Sequence, residues 1–218
     1  MPDKKLIPVI FFSGILTVFF TGCYPDEAEN PEDMELVTTE CDVNYPFTLN
    51  RTYIMPDTVM HIIDLNDPNN NQPINTGSDG LMLSLVSDHL DGLGYKRLMN
   101  TEGEKPDVYI TLSAISALYL LNDEDDWWYY WKYYPYWPIP WVDEYYPWYP
   151  WGKPVYYAYT IGTVIIQMMD GHSAADDKIP VVWNVTLNGL LQDTVQNLDQ
   201  RIERDIDRAF ELSTYLND

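Results

Sequence analysis

The chain is poor in positive charge: 12 Lys and Arg stand against 34 Asp and Glu in 218 residues, a net charge of −22. Such a field repels phosphate backbones and excludes nucleic acid as a partner. Cysteine is nearly absent, with only Cys23 and Cys41, so no disulfide framework holds the fold. Histidine is equally sparse. His61, His89 and His172 stand far apart, outside any HExxH or CxxC-like setting. No G-x-S-x-G elbow occurs either, so the sequence advertises neither an enzyme nor a metal or cofactor site. The acidic run Asn122–Asp126 lacks the glycine and spacing of a calcium loop and reads as a solvated charge cluster. The longest apolar run, Leu6–Phe20, is short of the roughly 20 residues that a membrane span needs.

What the N-terminus does contain is an address. Lys4 and Lys5 precede that apolar run, which ends in Phe20-Thr21-Gly22-Cys23. Charge, length and terminal cysteine match a lipoprotein signal peptide over residues 1–22, with Cys23 receiving the lipid. The expected location is the bacterial outer membrane, anchored through Cys23 and facing the periplasm or the outside. Residues 23–42 carry eight acidic groups, two prolines and no base, and read as an extended acidic tether.

From residue 43 to 218 the pattern is that of one domain. Asn44–Met55 reads as a first strand, with Pro46 favouring an edge. A helix follows from an N-cap at Ser78, with Met82, Leu85, Val86, Leu90 and Leu93 on one stripe and Gly94 closing it. Val108, Ile110 and Leu112 alternate with Tyr109, Thr111 and Ser113, a strand buried mainly on one side. Tyr157–Ile165 and Val181–Asn188 continue the alternation, and a turn is expected around Asp170 and Asp176. A last helix bears Leu198, Ile202, Ile206 and Ala209, with Arg201 and Asp205 as a solvated i,i+4 pair on its other face. The order β-α-β-β-β-α predicts an α/β two-layer sandwich: a mostly antiparallel sheet with both helices on one face.

Several short runs in this domain resemble a known family. They are Tyr53-Ile54-Met55-Pro56-Asp57, Leu93-Gly94-Tyr95, Lys105-Pro106-Asp107-Val108-Tyr109-Ile110, Tyr159-Thr160-Ile161-Gly162-Thr163-Val164, and Val182-Trp183-Asn184 with Gly189. With the Ala209-Phe210 helix, their order is similar to bacterial lipoproteins grouped as "domain of unknown function 4136". The resemblance implies localisation and architecture, and no site residues.

One segment stands apart. Trp127–Trp151 holds seven Trp, eight Tyr and five Pro, inside an insertion at 122–154 between two expected strands. Proline there disfavours a long helix or a central strand. Connections of this length are usually either functional or disordered. Trp127, Trp128, Trp131, Trp137, Trp141, Trp148 and Trp151 are therefore the candidate ligand-binding residues. The rings suit stacking against a glycan, as a non-enzymatic binding module would use them. They equally suit contact with an envelope protein, as in a structural or assembly factor, or a membrane interface. They also suit a lid over the chain's own sheet, received by Tyr109 and Tyr119.

Overall fold

The computed structural model describes residues 36–49, 51–62, 76–99, 105–115, 146–151, 162–176, 178–191 and 197–217. Residues 1–35, among them Cys23 and most of the acidic stretch, and Trp127, Trp128, Trp131, Trp137 and Trp141 lie outside them. Eight strands and two helices are described: β1 (Leu36–Cys41), β2 (Thr52–Ile54), β3 (Met60–Ile62), α1 (Asp79–Gly92), β4 (Lys96–Arg97), β5 (Val108–Ile115), β6 (Tyr146–Trp148), β7 (Val164–Asp170), β8 (Lys178–Asn188) and α2 (Leu198–Leu212). They form a mixed open sheet in the order β1-β8-β7-β5-β2-β4, with β3 joined to β5 and β6 to β8. The long ladders β1–β8, β8–β7 and β7–β5 are antiparallel. The shorter joins of β2 and β3 to β5, and of β6 to β8, are parallel.

The predicted β-α-β-β-β-α core survives as β2-α1-β5-β7-β8-α2. Strand β2 and strand β5, on either side of α1, lie parallel with Tyr53 opposite Val108, as a helical crossover requires. Helix α1 ends where the sequence places it. Gly94 takes φ +86°, its N–H reaches Asp91 O at 2.9 Å, and the Tyr95 N–H reaches Leu90 O at 2.9 Å. This paired closure needs a residue tolerant of positive φ. Both helices pack on one sheet face. Met82, Val86 and Leu90 from α1 and Ile202, Ile206 and Ala209 from α2 share a core with Ile110, Leu112, Ile166, Met168, Trp183 and Val185.

Five expectations need correction. The domain does not start at residue 43: Leu36–Cys41 pairs along β8, Leu36 opposite Asn188 and Cys41 opposite Trp183. Val37 and Cys41 pack on the core, an alternation that the acidic neighbours Glu35 and Glu40 disguise. The first expected strand shrinks to Thr52–Ile54, because the chain turns between Asp42 and Leu49, with Tyr45 N–H on Asp42 O and Leu49 N–H on Pro46 O, both at 3.0 Å. Strand β5 is buried along its whole length, on both faces. Arg201 and Asp205 are buried in α2 rather than solvated, since this face of the helix turns toward the protein; Asp205 Oδ1 accepts from Arg204 Nε at 2.8 Å. Ser78 stands at the N-cap position without capping: its hydroxyl donates instead to Asp199 Oδ1 at 2.8 Å, joining the two helix starts.

Candidate aromatic cleft

Strand β6 is short for a local reason. Pro147 has no N–H to give to a ladder, so Tyr146–Trp148 can only flank the outer end of β8, opposite Lys178–Pro180. That position leaves Trp148 46% exposed. Its ring is one wall of a cleft of about 470 Å³, whose lining includes Asp42, Tyr45, Asp170, His172 and Pro180. The volume suits a small ligand or one to two sugar rings.

Each wall is fixed from a different part of the chain. Asp42 follows β1 and its N–H donates to Val182 O at 2.9 Å, so the cleft inherits the β1–β8 ladder. Its carboxylate accepts from the Asn44 N–H at 2.9 Å, which turns the chain toward Tyr45. The Tyr45 and Phe47 rings meet edge to face, 4.9 Å between centroids. Across the cleft, Asp170 ends β7 and organises the next turn. Its Oδ1 accepts from the His172 N–H at 2.8 Å and its Oδ2 from the Ser173 hydroxyl at 2.5 Å. His172 Nε2 then meets Asp107 Oδ1 at 2.9 Å. Burial alone would raise the Asp107 pKa; bonds from the Thr52 hydroxyl and amide, and from His172, outweigh it and hold the carboxyl below its ordinary value.

The chemistry of this cleft is aromatic and acidic. Its described lining holds carboxylates and rings with no Lys or Arg, so an anionic ligand is disfavoured and a neutral or cationic one is not. Ser173 gives its hydrogen bond to Asp170 and not to an imidazole, so Ser173 and His172 do not form a nucleophile–base pair. No group of three metal-ligating side chains occurs among the described residues.

Of the seven candidate tryptophans, two are described, and the structure separates them. Trp148 faces the cleft. Trp151 is half-buried, edge to face with Tyr149 at 5.6 Å between centroids. The Tyr149 hydroxyl accepts from Gln167 Nε2 at 2.6 Å. One short stretch thus sends Trp148 outward and Tyr149 onto the sheet. Asp42, Asn44, Tyr45 and His172 escaped sequence reasoning because no local motif links them to Trp148; only the sheet register does.

Comparison with known proteins agrees with this architecture. No curated protein matches the chain. A crystal structure of a DUF4136 family protein from Bacteroides thetaiotaomicron VPI-5482 is similar, with a TM-score of 0.64 and 23% identity, covering 84% of this chain and 97% of that one. The family model described as "Domain of unknown function (DUF4136)" matches residues 37–213. Its first matched residue falls in β1 and its last just past α2, so the unit that folds is the unit that the family shares. The chain belongs to the DUF4136 family.

Proposed function

We propose that this protein is an outer-membrane lipoprotein, anchored through acyl groups on Cys23, whose domain is a non-enzymatic binding module for a neutral glycan of the envelope or its surroundings. One observation carries the binding reading: Trp148 stands exposed in the wall of a cleft that also offers Tyr45 and the carboxylates of Asp42 and Asp170. Sugar C–H faces stack on such rings while hydroxyls donate to acidic acceptors. The anchoring reading rests on the charged start, the apolar run and the Thr21-Gly22-Cys23 ending. Two or three acyl chains suffice for stable attachment.

Two experiments test it. Tryptophan fluorescence titrated with a panel of neutral oligosaccharides should change saturably, and Trp148→Ala should weaken the response at least tenfold. A flat response to the whole panel defeats the glycan reading. For the anchor, metabolic acyl labelling should mark the wild type and be absent from Cys23→Ala, which should leave the membrane fraction. A second reading, an assembly factor whose aromatic segment covers its own sheet, draws on the Tyr149–Gln167 bond. Trp148→Ala that abolishes capture of an envelope protein, with no glycan response in the wild type, would favour it.

A further inference from the structure

Two acids are buried among the described residues, Asp205 at 4% exposure and Asp170 at 7%. Asp205 has a cation beside it, with Arg204 Nε at 2.8 Å. Asp170 has neither Lys nor Arg among the described residues. Its oxygens accept from neutral donors, the His172 N–H and the Ser173 hydroxyl. A carboxylate taken out of water without a positive partner costs stability, yet this one stands in the wall of an open cleft. The two bonds use about half of its accepting capacity, since a carboxylate takes about four.

Asp42, on the same cleft, repeats the arrangement. Its Oδ1 accepts from the Asn44 N–H at 2.9 Å and from the Asn44 side-chain amide at 3.4 Å, again neutral donors. The one described lining side chain able to become cationic is His172, and it turns Nε2 to Asp107 Oδ1 at 2.9 Å. Charge gained there is matched by Asp107, not by either cleft acid. The exposed Trp148 indole adds the negative face of an aromatic ring. With the chain at −22, the wider field has the same sign. Two carboxylates and an open indole, with no Lys or Arg, are the surroundings that an ammonium group fits: ion pairing from the acids, cation–π contact from the ring.

We propose that the cleft selects saccharides bearing a free amine, with the ammonium answered by the Asp42 and Asp170 carboxylates and the sugar ring laid against Trp148. This selection rests on the glycan reading of the cleft and narrows it by one group, on a ring that is otherwise neutral. A hydroxyl offers a carboxylate one neutral donor, whereas an ammonium brings three donors and a full charge. The amine therefore gains where a wholly neutral sugar leaves two acids uncompensated. Acetylation of that amine removes the charge and two of the three donors, so the acetylated twin is the natural comparison.

The test is calorimetric titration of the full-length protein with the methyl glycosides of glucosamine and N-acetylglucosamine, at about pH 6.5 and low salt. The amine should bind at least tenfold tighter than its acetylated twin. Salt at about 0.5 M should cut that ratio below threefold, because it screens the ion pair. Asp42→Asn keeps an oxygen for the Asn44 N–H while removing the charge, and should bring the ratio below threefold at low salt. Asp207→Asn removes an acid of α2 outside the cleft and should leave the ratio at tenfold or more. The salt arm uses the wild type alone and decides the matter if Asp42→Asn does not fold. Equal affinity for the two glycosides overturns the selection and leaves the glycan reading standing. No binding of either at millimolar concentration defeats the glycan reading and the selection with it. A ratio unchanged in Asp42→Asn also overturns the proposal, as does a lysine amide bound as tightly as the amino sugar, which would assign the cleft to a peptide amine.

Discussion

His172 Nε2 lies 2.9 Å from Asp107 Oδ1, while the other oxygen of that carboxylate accepts from the Thr52 N–H at 2.8 Å and the Thr52 hydroxyl at 2.6 Å. A single side chain ahead of β5 therefore ties together β2 and the turn between β7 and β8. Asp107→Ala should cost roughly 1–3 kcal/mol, because it strands the Thr52 amide and hydroxyl. Chemical denaturation with an unchanged m value would show this as a lower midpoint.

The same carboxylate sets a pH dependence. Its pKa is lowered in the folded state, so its contribution is complete above the unfolded value and is lost as pH falls through the folded one. Stability measured between pH 5 and 2 should fall less steeply in Asp107→Asn than in the wild type. Equal slopes would mean that Asp107 titrates normally.

At the alkaline end the responsible group is Tyr95. Burial raises its pKa from 10 to about 12, with the Arg51 guanidinium pulling the other way; that guanidinium lies 5.0 Å from the ring centroid. Because the folded pKa is the higher, the stabilisation is whole below pH 10 and disappears as pH rises through about 12. Tyr95→Phe should flatten the loss of stability above pH 10, as followed by circular dichroism.

Gly171 marks a close approach. A Cβ there would sit 2.6 Å from Tyr109 Cε2 and 3.1 Å from Pro106 O, and the buried Tyr109 ring has little room to withdraw. Gly171→Ala should destabilise by about 1–3 kcal/mol. A midpoint equal to the wild type would mean that the ring moves freely.

Strand β1 gives a truncation test. A chain starting at Leu36 should unfold cooperatively. One starting at Val43 loses the whole β1 ladder with β8 and should unfold several degrees lower or aggregate through the uncovered edge.

Much of this fold was legible because periodicity and capping agree. In Trp183–Asn188 and α2 the apolar positions follow one period, which a bulge breaks only at Val182, placed with Trp183 on the core, and at Gly94 the residue needed for positive φ is present. Where the reading failed, long-range partners outweighed local pattern. Leu36–Cys41 is a strand only because β8 offers it an edge, and its acids resemble tether. Arg201 and Asp205 look like a surface pair until the helix is docked. For the cleft, tryptophan abundance pointed to the right segment, but Trp148 and Trp151 carry the same letter and opposite environments. Tyr45 and His172 had no signal at all, since sheet register alone brings them to Trp148.

The pairing of Leu36 with Asn188 also sets the order in which the molecule can be completed. Partners about 150 positions apart meet late, because the loop between them must close before the ladder forms. A chain emerging N-terminus first from a ribosome or a translocation pore therefore carries β1 unpaired until nearly all of the domain has followed. Once β8 forms, it presents a bare edge to its neighbours until β1 docks on it. Protection from aggregation during biogenesis thus falls to whatever holds that edge before β1 arrives, and slowing β1 docking should harm yield more than it harms the stability of the finished protein.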